Sequence, residues 1–169
     1  MKEYLLLLPL IYIFHDFEEM IGFGWFFRRN RWVFTKYPRL TAAYRDYNDA
    51  GMAVGVFEQL AVFFGGLTML GYCFPCRVLY GAWYGMLIGL TGHFAVHIGI
   101  CAYIRRYVPS LITAVICLPV GAVMLVKTGA LLTFDRVTVI SAAAVLPLMM
   151  LNLRLTHRWM FAAGRRLMG

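Results

Sequence analysis

IYIFHDFEEMIGFGWFF, residues 11–27, is apolar enough to cross a bilayer, yet it contains His15, Asp16, Glu18 and Glu19. A charged side chain at the centre of a membrane helix costs about 2.5–3.5 kcal/mol on insertion scales. Such groups persist where they face the interior of a bundle and line a pathway or a reactive site. The run therefore sets two expectations: a helix packed among others in a membrane, and a polar site on its inner face.

The rest of the chain agrees with the first. Its 169 residues are 62% hydrophobic and 14% charged, with a mean hydropathy of +0.71. Soluble domains are about 45–50% apolar and about 25% charged. The net charge of +8 gathers at the ends of apolar runs, the pattern that membrane orientation produces, so nucleic acid is not an expected partner. Lys2 and LLLLPL resemble the opening of a signal peptide. No small-x-small cleavage site follows and the apolar pattern runs on through Phe27, so a retained first helix is expected.

A spanning helix needs about 20 largely apolar residues. Five segments qualify, at roughly 4–27, 51–74, 78–104, 109–132 and 136–153, and predict one all-α bundle of five transmembrane helices with no second domain. Pro109 suits a helix start after the RRYVPS turn. Pro9, Pro119 and Pro147 fall inside spans, where neighbouring helices can satisfy the freed carbonyls. The first loop carries Arg28, Arg29, Arg31, Lys36, Arg39 and Arg45, the third Arg105 and Arg106, and the tail Arg154, Arg158, Arg165 and Arg166. Only Lys2, Arg77, Lys127 and Arg136 lie on the other side. The positive-inside rule then places the N-terminus outside and the C-terminus in the cytoplasm, in what is expected to be a bacterial cytoplasmic membrane.

The polar residues within the spans converge in depth. At 1.5 Å rise per residue, Glu18 and Glu19 lie about 14 Å from the basic end, Glu58 about 11 Å, His97 about 12 Å, His93 about 18 Å and His15 about 20 Å. His15, Glu18 and Glu19 share a helix face through i, i+3 and i, i+4 spacing. The third span repeats Gly81, Gly85, Gly89, His93, His97 every fourth residue, a small-residue seam that leads the two histidines into the bundle. Gly51, Gly55, Glu58, Val62 and Gly65 form a similar stripe in the second. No Lys or Arg lies at that depth in these three spans to neutralise the carboxylates. They must share protons, share a cation or serve as buried hydrogen-bond partners between helices.

Imidazole with carboxylate is the ligand set of zinc and of non-haem iron. The expected ligands are His15, Glu18, Glu58, His93 and His97, with Glu19 as general base. Asp16 is about 100° around the helix from His15 and is at best a supporting group. Tyr12, one turn before His15, is placed to donate a hydrogen bond or simply to pack. H-D-F-E-E at 15–19 fits His-x-x-Glu-Glu. With the Glu58 span and the His93/His97 pair, the chain resembles the HXXEE-domain family of small multi-span membrane proteins over its first three spans. The resemblance implies a membrane-embedded polar site and no particular activity.

The expected function is that of an intramembrane metal-binding protein, a zinc-dependent hydrolase acting on a membrane lipid or lipophilic small molecule. Three alternatives stay open: a membrane di-iron redox enzyme, a proton-coupled transporter, and a metal-free acid–base isomerase or cyclase. Cys73-Phe-Pro-Cys76 has the form of a redox dithiol, and equally of an incidental pair or a disulfide closing a turn. Cys101 and Cys117 read as ordinary span residues. Trp25, Phe26, Phe27 and Trp32 read as an interfacial belt, and residues 154–169, with His157, as a solvated tail near anionic lipid.

Overall fold

The computed structural model describes residues 1–168 and is all-α among them. A single turn, α1 (Lys2–Leu5), leads into α2 (Leu7–Arg29). The basic loop that follows is partly folded, with a short α3 (Trp32–Lys36) and a 3₁₀ turn (Ala42–Tyr44). The next long helix is composite: α4 (Asp49–Gln59), a π-helical segment (Leu60–Leu67) and α5 (Thr68–Cys73). Then come α6 (Arg77–Ile104), α7 (Leu111–Gly129) and α8 (Arg136–Met168). Pro119 and Pro147 are accommodated inside α7 and α8.

Among the described residues four helices are long and apolar enough to cross a membrane: Asp49–Cys73, Arg77–Ile104, Leu111–Gly129 and Arg136–Met168. Helix α2 has the length, but Asp16, Glu18 and Glu19 fall in its middle and its composition alone does not qualify it. The expected count of five spans thus stands at four by this criterion. The helices close a ring in which α2 packs on α7, α7 on α6, α6 on α8, α8 on α4, and α4 back on α2. Large apolar side chains such as Ile21, Phe57, Val126 and Ile140 cover the outside, as expected of a surface solvated by lipid.

Small residues set the closest crossings. A Cβ at Gly85 would meet Val145 at 2.6 Å, and one at Gly89 would meet Met149 at 2.8 Å, so the glycine stripe of α6 is the seat of α8. His97, the last of the stripe, does not share that face. A spacing of four residues drifts about 40° per step around an α-helix, so His97, four steps beyond Gly81, has turned away from α8 toward α2 and the start of α7. The seam expected to run from Gly81 to His97 is therefore two surfaces.

Helix α8 also departs from expectation. It does not end near residue 153 but continues to Met168. Thr156, Met160, Phe161 and Gly164 are buried there, because their spacing forms a face that docks along α4, where a Cβ at Gly51 would meet Phe161 Cδ1 at 2.6 Å. Gly169, the last residue of the expected tail, lies outside the described residues. Phe26 and Phe27, expected in an interfacial belt, are core residues. Phe27 packs on Phe34, Tyr44 and Tyr47.

Candidate metal centre

Helix α2 presents His15 and Glu19 one turn apart, and α6 presents His93 and His97 in the same way. His15 is fully buried, and Glu19 and His97 nearly so, while His93 is the member exposed to open space. Their ligand atoms all lie within 4.8 Å of one another, close to the reach of two metal–ligand bonds of about 2.0–2.2 Å each. Nε2 of His97 is 2.7 Å from Nε2 of His93 and 3.1 Å from Oε1 of Glu19. Nε2 of His15 is 3.9 Å from the same oxygen. His15 Nε2 and Glu19 Oε1 are buried with no aligned hydrogen-bond partner. Each such group costs about 1–3 kcal/mol if nothing else binds it.

The outer nitrogens of two rings are tied down. His15 Nδ1 is 3.0 Å from the Thr113 hydroxyl, and His97 Nδ1 is 2.6 Å from the Ser110 hydroxyl. Thr113 donates its hydroxyl proton to Glu18 Oε2 at 2.6 Å, because an ionised carboxylate can only accept. The Thr113 oxygen is then left to accept from His15 Nδ1–H, which leaves the Nε2 lone pair facing the cluster. Such outer hydrogen bonds are what fix the tautomer and orientation of a ligating imidazole. Ser110 reaches His97 from a left-handed backbone conformation, φ 92°, which is rare outside glycine and asparagine and recurs at functional sites.

Glu18 does not join the cluster. It accepts from Thr113 N–H at 2.7 Å, Ile112 N–H at 3.3 Å and Tyr107 O–H at 2.6 Å. These amides are in the first turn of α7, and Ser110 makes no side-chain cap there. A carboxylate is the natural partner for a helix start, and Glu18 supplies it from another helix. Glu58 is also elsewhere. It accepts from Asn152 Nδ2 at 2.8 Å, Thr156 Oγ1 at 2.8 Å and Gln59 Nε2 at 2.8 Å, joining α4 to α8. Of the expected ligands, the structure assembles His15, His93 and His97 and adds Glu19, the expected base. It gives Glu18 and Glu58 to helix-to-helix hydrogen bonds. Sequence reasoning missed Ser110 and Thr113, although their hydroxyls at the start of the fourth span were a readable signal.

The His-x-x-Glu-Glu run at 15–19 is thus divided between a cluster and a helix cap. A family model described as "Protein of unknown function with HXXEE motif" matches residues 6–124. The chain belongs to the HXXEE family. The match takes in every cluster residue, Glu18, Ser110 and Thr113, and stops before α8. No curated protein and no solved structure matches the chain.

In this HXXEE protein the cluster borders a cavity of about 170 Å³ between α2, α4, α6 and α8. Met52, Met149, Met150, Met160, Phe64 and Leu90 form much of its wall, and Asp16, Glu19, Gln59 and His93 are polar points in it. Asp16 therefore belongs to the cavity and not to the group of ligand atoms. Tyr12 also lines it and donates to the Val56 carbonyl at 3.2 Å, not to His15. Cys73 and Cys76 are exposed free thiols, and Cys101 and Cys117 buried ones.

Proposed function

We propose that this HXXEE protein binds one metal ion within the membrane through His15, His93 and His97, and hydrolyses a membrane-dissolved substrate held in the adjoining cavity. The observation that carries the reading is the pair of buried atoms, His15 Nε2 and Glu19 Oε1, that face the cluster without a partner. A buried polar atom without a partner is costly, and a bound metal relieves that cost for both atoms at once. Three imidazoles with an open position are a zinc enzyme's ligand set, and we take the ion to be zinc. Zinc in such a site polarises a carbonyl or phosphoryl oxygen and supplies a nucleophile at neutral pH.

The chain's own residues do the rest. Glu19 Oε1 lies beside the histidines and has no donor, so it serves as the base that accepts a proton during attack. Thr113 and Ser110 hold two rings with Nε2 inward. A di-iron centre fits less well, since iron pairs in helical bundles draw on several carboxylates and both Glu18 and Glu58 are committed elsewhere. We take α2 as the fifth span and place the arginine-rich end in the cytoplasm, by the positive-inside rule.

The test is metal content. Zinc should copurify at about half an equivalent or more, since a His-rich site binds tightly. His93→Ala and His97→Ala should each abolish it, and Glu19→Gln should keep the metal but lose turnover. Metal-free protein that folds unchanged in a strong chelator would transfer these groups to proton chemistry.

A further inference from the structure

Between the end of α2, the start of α4 and the end of α8 lies a second, larger depression of about 1160 Å³. Arg28, Arg31, Arg45 and Arg165 line it, and Asp49 is the only carboxylate side chain in its wall among the described residues. Asp49 pairs loosely with Arg28 at 3.9 Å. Arg31, Arg45 and Arg165 have no acidic partner among the described residues. Three uncompensated guanidinium groups around one concavity suit a phosphate or carboxylate, which arginine grips through paired N–H bonds. The positive end of the long helix that begins at Asp49 adds to the same field.

Tyr44 connects this groove to the cluster. It lines the arginine groove on one side and the methionine-walled cavity on the other. Along α2, Glu19 and Arg28 are nine residues apart, about 14 Å of helix. Charge at the surface, a tyrosine partition and an apolar chamber beyond it form the profile of an amphiphile.

We propose that the groove binds the anionic head of an amphiphile, a phosphate or carboxylate, whose apolar portion passes Tyr44 into the cavity beside Glu19 and His93. The assignment of that amphiphile as substrate rests on the metal-centre reading; its binding does not.

The test uses the full chain in phosphatidylcholine nanodiscs, titrated with octyl phosphate, inorganic phosphate and octyl glucoside. Octyl phosphate should bind at least tenfold tighter than either of the others. The Arg31→Gln/Arg45→Gln/Arg165→Gln variant should weaken it about a hundredfold, from a factor of about five per arginine at a membrane surface. Arg29→Gln/Arg39→Gln/Arg166→Gln, outside the groove, should change it less than threefold. Leu153 lines the cavity, so Leu153→Trp, or the milder Leu153→Phe, fills it and should bring octyl phosphate down toward inorganic phosphate. Protein stripped of zinc by a strong chelator should keep octyl phosphate affinity within twofold. Equal binding of inorganic and octyl phosphate, or equal losses in the two arginine variants, would overturn the proposal, the second by showing diffuse surface charge. Octyl phosphate binding by a protein that holds no metal would support the groove and remove the hydrolase.

Discussion

Glu18 and Glu19 are neighbours in sequence, yet about 100° apart around the helix, and that angle divides their work. Spacing from His15 put both on one face and led to Glu18 as ligand and Glu19 as base, and the sequence could not say which would meet α7. What decides it is the first turn of α7, where Ser110 makes no side-chain cap and the Ile112 and Thr113 amides take Glu18 as their acceptor. Hydrogen bonds to a charged group contribute about 1.5–3 kcal/mol, so Glu18→Gln should lower stability by about that amount in a detergent melt. Metal stoichiometry should survive, because Glu18 acts on the cluster only through Thr113. Thr113→Val removes the acceptor that holds His15 Nδ1–H. It should weaken metal binding about 10–100-fold, measured by competition with a chelating dye, and Thr113→Ser should restore most of the loss. A hydroxyl that only packed would not show that rescue.

At the scale of elements, helix content and the inward faces of α2 and α6 were legible from apolar runs and i, i+4 histidines. The π-helical segment was not, because hydropathy does not register a widened turn. Its marks are chemical: Phe64 stacks on Tyr12 at 4.1 Å, Tyr12 donates to the Val56 carbonyl, and Gly65 and Gly66 sit where a side chain would strike carbonyls five residues back. A Cβ at Gly65 would lie 2.7 Å from the Leu60 oxygen. Replacing glycine by alanine inside a helix ordinarily stabilises it by about 0.5–1 kcal/mol. Here the sign should reverse. Gly66→Ala should lower the melting temperature and disturb the Phe64–Tyr12 wall of the cavity, and a raised melting temperature would show that the widened turn does not depend on glycine. The end of α8 was misread for a related reason: its arginines are conspicuous, while the Thr156, Met160, Gly164 face between them is weak in hydropathy.

At the scale of the molecule, the two ends differ in charge. Arg28 and Arg165 line the same groove at one end, while at the other Arg77 pairs with Asp135 at 2.7 Å. Asp135 also accepts from Thr138 N–H at 2.9 Å, and that bond holds its carboxyl below the usual range. Single cysteines at 31 and 165, in a background without native cysteines, should react only with reagents that enter the cytoplasm, and one at 135 should react from outside. The reverse pattern would invert the proposed orientation.

The bonds that secure α2 reach Thr113, 95 and 98 residues further along the chain. Among the described residues four helices are long and apolar enough to cross a membrane, and α2, which precedes them in the chain, is not one of them. His15 and Glu18 cannot meet Thr113, nor Glu19 meet His97, until α6 and α7 have been made. The bonds that hold this early segment are therefore completed late, by a hairpin made long after it.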